Sequence, residues 1–274
     1  MKRLHVYFSL CALSAPLPAL AAGGAFEINQ DCVAVGCFAG DTAKFPVTIT
    51  QSGTYVLTSD LAANSVNDDA IDIQADRVDL DLNGHTIDGG GTCTGTPVTA
   101  CTGGALGGTG INILASSSGA RIRVHDGTVR GFGNTGIYGG NAGDGTVLEH
   151  LTVAENNAHG IYFPSNVYSS TLRVSNSMIV RNMPAGLIGL PNLSVENCVF
   201  SGNQSTGLRA TGESTVANSR FEHNGGLGLW ASSSDATALD HNVFRHNNGG
   251  TAQWDISGAL LDMGGNVCAD HACP

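Results

Sequence analysis

The sequence predicts an all-β solenoid, in which short strands wind into coils that stack on one another. Three observations predict it: a motif that recurs at a near-constant interval, alternation of apolar and polar residues between the motifs, and no sustained helical periodicity. The motif is clearest in NCVFSGNQSTGL (197–208) and NSRFEHNGGLGL (218–229), where an Asn, a Phe and a second Asn precede a Gly-Leu pair. Self-similarity at a fixed period indicates a repeat architecture.

The repeat extends over most of the chain. A Gly-aliphatic pair begins at residues 110, 136, 160, 186, 207 and 228, at intervals of 26, 24, 26, 21 and 21 residues. Copies continue forward into HNVFRHNNGGT (241–251) and back, in looser form, into AIDIQADRVDLDLNGHTIDG (70–89). The sequence therefore predicts about eight coils.

Between the motifs, apolar and polar residues alternate with the two-residue period of a strand that has one buried face. Each unit contains three such runs, separated by Gly, Asn and Ser, and none has the length or period of a helix. In residues 207–224 the alternation predicts these inward side chains: Leu208, Ala210, Val216, Ser219 and Phe221. One coil cannot bury this face alone, but stacked coils make a continuous core.

Stacking places equivalent residues of successive coils above one another. We expect Phe200, Phe221 and Phe244 to form an internal aromatic stack. The second Asn of each motif should form a ladder at one corner, where Asn tolerates left-handed backbone and its amide can bond the neighbouring coil. The predicted ladder consists of Asn156, Asn182, Asn203, Asn224 and Asn247.

On these repeats, residues 46–267 resemble the right-handed parallel β-helix proteins, a superfamily that includes pectate lyases, polygalacturonases and alginate epimerases. The resemblance implies a single-stranded right-handed parallel β-helix of about eight coils with N- and C-terminal caps. The catalytic signatures of these enzymes do not carry over. Asp68-Asp69 lacks the accompanying Asn-Thr-Asp, Ala158-His159-Gly160 lacks the leading Gly, Arg121-Ile122-Arg123 precedes the His, and Asp-Pro-His is absent.

The two ends of the chain do not match the repeat. Residues 1–21 have the basic start, apolar stretch and small-residue site of a secretory signal peptide, so we expect a secreted or periplasmic protein. Residues 22–45 are a predicted N-terminal cap, and 268–274 a C-terminal disulfide cap. The β-helix spans 46–267, with an insertion at about 89–109. Its first part, 45–61, reads either as a hairpin or as a first, incomplete coil.

Cysteine spacing and charge restrict the compartment and the partners. Three close pairs are predicted disulfides in an oxidising compartment: Cys32 with Cys37, Cys93 with Cys101, and Cys268 with Cys273. Cys198 is left over and is interpreted as a small buried residue rather than a reactive thiol. The formal charge of −11 argues against nucleic acid and anionic membranes as partners. We expect no membrane span, and a monomer.

One outward column carries the residue types that bind sugars. The residue after each Gly-aliphatic pair, together with Asp72 of the looser copy, defines what we call the outer column: Asp72, Asn112, Tyr138, Tyr162, Ile188, Arg209 and Trp230. Tyr and Trp rings can lie against sugar faces, while Arg bonds hydroxyls or a carboxylate. Tyr138, Tyr162, Arg209 and Trp230 are therefore the predicted binding residues for a polysaccharide or surface glycan. The alternative is that these rings pack beneath loops.

His159 and Tyr162 are the candidate catalytic pair. A His and a Tyr could remove and return a proton beside a sugar carboxylate, as in a β-eliminating lyase or a uronate epimerase. The carboxylate would need neutralising by Arg181, Arg209 or a cation. His159 could instead be an ordinary polar corner residue.

No cofactor is evident, but calcium is left open by one acidic cluster: Asp68, Asp69, Asp72, Asp76, Asp79 and Asp81. Alternation spreads these residues over different faces, which favours a solvated rim instead.

Two functions remain. The first is a secreted protein that binds and cleaves or epimerises a polysaccharide, with a lyase or epimerase favoured over a glycoside hydrolase. The second is a non-catalytic β-helix that binds glycan or forms a cell-surface or envelope structure.

Overall fold

The computed structural model describes residues 24–63, 68–102, 107–115, 120–140, 145–164, 171–189, 192–231, 236–250, 254–256 and 260–268. The predicted signal peptide (1–21) and Cys273 lie outside these ranges. No helix among the described residues is long and apolar enough to cross a membrane.

The described chain is a stack of coils, each built from up to three short strands. The first three coils contain strands Val47–Ile49, Gly53–Leu57 and Leu61–Ala62, then Ile71–Ile73, Val78–Asp81 and Thr86–Asp88, then Ile111–Ile113 and Arg123–Arg130. The next three contain Ile137–Tyr138 and Thr146–Ala154, then Ile161–Tyr162, Leu172–Ser175 and Met178–Val180, then Leu187–Gly189, Leu193–Glu196 and Val199–Ser201. The last three contain Leu208–Ala210, Ser214–Ala217 and Arg220–Glu222, then Leu229–Ala231, Thr237–Asp240 and Val243–Arg245, then Trp254–Ile256, Leu260–Asp262 and Val267–Cys268.

Every coil pairs in parallel with the coil before and after it, which confirms the predicted solenoid. The first strands of the coils form a nine-stranded sheet, so the described stack makes about eight turns. The second and third strands merge into a seventeen-stranded sheet that we call the long sheet. A single 3-10 turn, Asn247–Gly250, and one short α-helix, Gln30–Val33, interrupt the β-structure of the described chain.

The core is a column of apolar side chains inside the coils. Phe200, Phe221 and Phe244 are each 0% exposed, and their ring centroids stack 4.9 and 4.8 Å apart with interplanar angles of 3° and 7°. This confirms the predicted aromatic stack. The five residues predicted to face inward between 207 and 224 are all buried. Each Phe contributes roughly 1.5–3 kcal/mol of burial free energy.

The asparagine ladder is also confirmed. Asn203 Nδ2 donates to Asn224 Oδ1 (2.9 Å) and to the carbonyl of Ile179 (3.1 Å), and the other rungs repeat the pattern. The left-handed backbone at this corner, however, belongs to the residue before the ladder Asn and not, as predicted, to the Asn itself. The ladder asparagines have ordinary φ values, while the residues just before them, Glu155, Arg181 and His223 among others, have φ of 54–56°. The left-handed residue turns the corner, and the buried Asn behind it bonds the neighbouring coil.

The ladder explains why glycine starts each Gly-aliphatic pair. A Cβ on Gly186 would lie 2.5 Å from the carbonyl oxygen of Gly207 and 2.9 Å from Asn203 Nδ2. The equivalent atoms of the preceding coil, the carbonyl oxygen of Gly186 and Asn182 Nδ2, surround Gly160 in the same way. Only a residue without a side chain fits between the ladder and the next coil, so the recurring Gly is required by packing rather than by a positive φ.

The N-terminal end is closed by an added rung and a small cap. Strand Phe26–Ile28 pairs in parallel with Gly53–Leu57, and the Phe26 ring stacks on Tyr55 at 5.1 Å. The disulfide Cys32–Cys37 confirms the predicted pair. Of the two alternatives for residues 45–61, the coil is correct and the hairpin is wrong, because their strands pair in parallel with the second coil.

The insertion at 89–109 forms a disulfide-bonded hairpin that crosses one corner of several coils. Its strands, Thr92–Thr94 and Ala100–Thr102, are joined by the predicted disulfide Cys93–Cys101. Val98 at its tip is buried, and its N–H donates to the carbonyl of Gly202 (2.9 Å). We call residues 92–102 the strap. Arg181 donates to the strap carbonyls of Cys93 and Gly95, and to Glu155.

These contacts make Arg181 a structural clamp. The prediction that it neutralises a sugar carboxylate is therefore wrong, because its guanidinium is occupied by the strap and by Glu155. The remaining cysteines behave as expected where they are described. Cys198 is free and buried, and burial raises the pKa of its thiol to about 11, which makes it unreactive. Cys268 is disulfide-bonded, while its predicted partner, Cys273, lies outside the described residues.

Candidate functional site

The outer column is a continuous line of side chains on the nine-stranded sheet. Each of its members pairs in register with the next, from Asp72 through Asn112, Tyr138, Tyr162, Ile188 and Arg209 to Trp230. In four coils the chain enters this sheet at the same phase, immediately after a glycine that packs on the asparagine ladder: Gly136, Gly160, Gly186 and Gly207. Successive members are one strand spacing apart, about 4.8 Å.

The aromatic members contact their neighbours but keep part of their surface open. The Tyr138 and Tyr162 rings lie 5.7 Å apart, and His159 lies 5.1 Å from the Tyr162 ring. The Arg209 guanidinium carbon lies 4.3 Å from the centroid of the Trp230 ring, a cation–π contact. Both Tyr residues and Trp230 are half-buried, and Arg209 is exposed.

Two clefts lie along the outer column and meet at Tyr162. The larger, of about 410 Å³, is lined by Asp69, Asn112, Asn134, Tyr138 and Tyr162, with Thr135, Gly107 and Thr109. The smaller, of about 140 Å³, is lined by Tyr162, Ile188, Arg209 and Thr211. The structure thus brings predicted residues Tyr138, Tyr162 and Arg209 to one connected depression. Trp230 lies beyond it, under Arg209.

Gly140 supports the wall of the larger cleft. A Cβ at this position would overlap the Tyr138 ring, so the ring lies directly on the backbone of Gly140. This glycine allows Tyr138 to lie against the backbone beside the cleft. Its role could not be predicted from the sequence, because residue 140 lies outside the repeating motif.

His159 is neutral at physiological pH. Burial, and then the positive charge of Arg209, lower its pKa to about 4. Its Nδ1 atom is buried and has no hydrogen-bond partner among the described residues. A buried N–H without an acceptor is rarer and less favourable than an unpaired lone pair, which favours the tautomer with the proton on Nε2. In this form Nε2 is a hydrogen-bond donor.

A pair of carboxyl groups at one end of the column was not predicted as a site. Asp69 accepts hydrogen bonds from the Thr109 N–H (2.7 Å) and Asn112 Nδ2 (3.0 Å). Burial, and then the charge of Asp69, raise the pKa of Asp72 to about 6. The Oδ1 atoms of Asp72 and Asn112 are buried and unpartnered within the described chain. A carboxyl whose pKa is raised by a neighbouring carboxyl is typical of sites for acid–base chemistry.

The other acidic residues of the predicted calcium cluster separate from this pair, as alternation indicated. Asp79 and Asp81 lie on the long sheet, opposite Arg123 and His125 of the next coil. A solvated rim is the wrong description of Asp72, however, because it is half-buried with one oxygen enclosed. Asp69 lines the cleft and Asp72 lies against Asp69, so the six carboxylates do not form one ion site.

A second depression, of about 490 Å³, lies on the long sheet and lacks this chemistry. It is lined by Asn192, Leu193, Ser194, Glu213, Ser214, Thr215, Ala236, Ala238 and Leu261. It has no aromatic side chain and one ionisable group, Glu213. The outer column is therefore the better candidate site.

Known proteins share the fold of this chain. A family profile described as a right handed beta helix region matches residues 188–264. The enzymatically active domain of tailspike protein 2 from bacteriophage CBA120 superposes with a TM-score of 0.62 and 14% identity, over 88% of this chain and 38% of that one. The chain thus spans well under half the length of that structure. The A-module of a mannuronan C-5 epimerase from Azotobacter vinelandii gives a TM-score of 0.46 and 15% identity, over 82% and 68% of the two chains.

No curated protein matches the sequence. The repeat, the parallel register of successive coils, the family profile and the tailspike superposition agree with one another. The chain has the right-handed parallel β-helix fold.

Proposed function

We propose that this chain is an exported polysaccharide-active protein that binds a glycan along the outer column and acts on it at Tyr162. The observation that carries the proposal is a pair of clefts that share Tyr162 and place two Tyr rings and an Arg along one line of the sheet. The neutral imidazole of His159 lies 5.1 Å from the Tyr162 ring. The disulfides fit an oxidising compartment. The tailspike neighbour, described as an enzymatically active domain, lends support by analogy of fold.

Binding would use flat apolar surfaces and a few directed polar groups. The open faces of Tyr138, Tyr162 and Trp230 can each lie against a sugar ring, and Asn112, Asn134 and Thr135 supply hydrogen bonds at the larger cleft. The column extends over six strand spacings from Asp72 to Trp230, or about 29 Å at 4.8 Å each. A linear glycan, rather than a single sugar, suits a groove of this length.

Lyase or epimerase chemistry is the reaction that the smaller cleft supports best. Arg209 and Tyr162 line the same cleft, so a uronate carboxylate bound by Arg209 would present its adjacent carbon to the Tyr162 hydroxyl. In an elimination, Tyr162 as the phenolate takes the proton of that carbon, the bond between the neighbouring carbon and the glycosidic oxygen breaks, and the Tyr162 phenol passes the proton to that oxygen. In an epimerisation, Tyr162 takes the same proton and solvent returns one to the opposite face of the carbon. In both reactions His159 donates a hydrogen bond from Nε2. Arg209 would neutralise the carboxylate, which acidifies the adjacent carbon.

Glycoside hydrolysis is a second candidate, favoured by one observation. Asp72, whose pKa is raised to about 6, is hydrogen-bonded to Asp69, which lines the larger cleft. A carboxyl with a raised pKa is the general acid that most glycosidases use, and we assign this role to Asp72. The second carboxyl of those enzymes stands about 5–9.5 Å away, so Asp69, which is hydrogen-bonded to Asp72, serves to raise its pKa rather than as the second catalytic group.

One incubation separates these reactions. The protein is mixed with polyuronates and neutral polysaccharides, and three products are measured: unsaturated sugar ends by absorbance, new reducing ends, and the epimer ratio by NMR. A lyase gives unsaturated ends, a hydrolase gives reducing ends without them, and an epimerase changes only the ratio. Binding without any product would overturn both catalytic proposals and leave a glycan-binding β-helix.

Two variants then test which residues carry out each reaction. Tyr162→Phe removes one hydroxyl and should abolish lyase or epimerase turnover while binding is retained, whereas Asp72→Asn should abolish hydrolysis. Met178→Ala is the matched control, because Met178 is a large exposed side chain on the long sheet. Turnover that survives Tyr162→Phe would remove Tyr162 from the lyase or epimerase mechanism.

A further inference from the structure

We propose that the long sheet carries a binding site for a divalent transition metal of the zinc class, formed by Asp81, His125, Asp126 and His150. This site is independent of the outer column, which lies on the other sheet. The four residues come from three successive coils: Asp81 pairs in register with His125, and His150 belongs to the strand that pairs with the strand of His125. Asp126 and His150 occupy the left-handed corner, with φ of 58° and 52°.

The ligand atoms already converge. His125 Nδ1 lies 2.6 Å from Asp126 Oδ2 and 3.7 Å from Asp81 Oδ1, and these three residues offer atoms that all lie within 4.8 Å of one another. Zinc bonds nitrogen and carboxylate oxygen at about 2.0–2.2 Å, so two ligands on one ion lie roughly 3–3.5 Å apart. Small side-chain rotations bring the observed distances into this range. His150 Nδ1, 3.6 Å from Asp126 Oδ1, is positioned to become the fourth ligand.

The central imidazole is held so that Nδ1 faces the carboxylates. The His125 side chain is only 8% exposed, and its Nε2 lies 3.2 Å from Asp79 Oδ1 and 2.9 Å from Arg123 Nη1. Arg123 is itself held by Glu149 at 2.6 Å. Arg123 can only donate, so without a metal Nε2 accepts its hydrogen bond and Nδ1–H donates to Asp126. When Nδ1 binds a metal, the imidazole proton lies on Nε2, which donates a hydrogen bond to Asp79 Oδ1, and Arg123 Nη1 turns to the same carboxylate, 3.2 Å away. A carboxylate behind a metal-bound imidazole fixes the ring and increases its basicity.

The mixture of donors selects the metal. Two imidazoles with two carboxylates suit zinc, cobalt or nickel, whereas calcium takes six to eight oxygen ligands and uses no imidazole. The site also lies at a particular place in the fold. Asp81 and His125 are stacked neighbours, yet the insertion at 89–109 separates their coils along the chain. A bound metal would join these two coils directly, and a third through His150.

The experiment uses the full mature protein, free of any polyhistidine tag, with its disulfides intact. Binding of Zn²⁺ is measured by calorimetry and that of Co²⁺ by its visible absorption. Asp126→Asn and His150→Asn are the informative variants, because Asn176, Asn197 and Asn218 occupy the equivalent left-handed corner of later coils. Asparagine therefore fits this backbone and removes one ligand without breaking the fold.

His241→Asn is the matched control. His241 occupies the same corner and contacts Asp240 at 2.6 Å, but no third ligating side chain of the described chain completes that pair. We expect the wild type and His241→Asn to bind Zn²⁺ equally, and Asp126→Asn and His150→Asn to bind it at least about tenfold more weakly. Equal Zn²⁺ binding by all four proteins, no binding by the wild type, or displacement of Co²⁺ by equimolar Ca²⁺ would each overturn the proposal.

Discussion

Arg209 lies over the indole ring of Trp230, with the guanidinium carbon 4.3 Å from the ring centroid. The contact joins two flat groups at one end of the outer column. In a glycan complex, Trp230 thus acts both on the sugar and on the orientation of the Arg that is proposed to bind its carboxylate. The two residues form one unit, and their contributions to affinity will not be additive.

Trp230→Ala should therefore weaken glycan binding by more than the loss of one stacking surface alone would weaken it. We expect a loss of roughly 1–2 kcal/mol, or about tenfold in affinity, from the cation–π contact and the sugar contact together. Arg209→Ala in the Trp230→Ala background should add less than it does in the wild type, as a double-mutant cycle by calorimetry can measure. Fully additive losses would mean that the Arg209–Trp230 contact has no part in binding.

Asn203→Ala should destabilise the fold, because the ladder Asn is buried and makes bonds on both sides. Its Nδ2 donates to Asn224 Oδ1 and the carbonyl of Ile179, and its Oδ1 accepts from the N–H of Asn182 (2.9 Å). Unpaired buried groups cost about 1–3 kcal/mol each in the free energy of unfolding. Urea unfolding measures the loss. Asn197→His is the control, since His150 and His241 occupy the same exposed corner elsewhere in the chain, and it should be nearly neutral.

The repeat predicted the outer column correctly because a glycine precedes six of the seven strands that carry it and keeps those strands in the same phase. It misplaced the left-handed residue by one position, since Asn is common both in left-handed turns and in buried ladders and the sequence pattern does not separate the two uses. The pairing of Asp69 with Asn112 was missed because Asp69 precedes its strand, where the turn geometry decides which way the carboxylate points. The path of the strap lies outside any repeat, so the engagement of Arg181 could not be predicted.

His159 should make stability depend on pH in the mildly acidic range. Its pKa is about 4 in the folded state, below the ordinary value of 6.5, so the unfolded chain takes up the proton first as the pH falls. The contribution of the neutral His159 side chain to the free energy of unfolding is complete above pH 6.5 and is lost as the pH falls toward 4. It amounts to at most about 3 kcal/mol, at 1.36 kcal/mol per pKa unit. His159→Gln, which does not titrate, should reduce the difference in unfolding free energy between pH 7.5 and 4.5; an unchanged difference would contradict the buried neutral imidazole.

The raised pKa of Asp72 should have the opposite effect from that of His159: it should lower the free energy of unfolding as the pH rises. Its pKa is raised from 3.8 to about 6, so its contribution to stability is complete below pH 3.8 and is lost as the pH rises through 6. Asp72→Asn keeps the shape of the side chain and removes the charge. We expect this variant to melt at a higher temperature than the wild type at pH 8 and at a similar temperature at pH 4. A lower melting temperature at pH 8 would show that the ionised carboxylate is stabilising.

Arg181→Ala should release the strap from the corner of the coils. The guanidinium joins strap carbonyls to Glu155 of the preceding coil, and Arg181 is the charged side chain that holds Cys93 and Gly95 there. Hydrogen bonds to charged groups contribute about 1.5–3 kcal/mol, whereas an exposed ion pair contributes about 0–1 kcal/mol. Arg173→Ala, which breaks the exposed pair with Glu196 on the long sheet, is the matched control.

Limited proteolysis distinguishes local release from general unfolding. Once Arg181 is removed, the strap keeps its disulfide and the Val98 contact to Gly202, so it should become susceptible to cleavage between residues 94 and 100 while the coils stay intact. Cleavage there would leave the two parts joined by Cys93–Cys101, and a mass shift would appear only after reduction. Because Gly107 and Thr109, just after the strap, line the larger cleft, glycan affinity should fall with strap release. A strap as resistant in Arg181→Ala as in Arg173→Ala would mean that its buried tip, rather than Arg181, holds it in place.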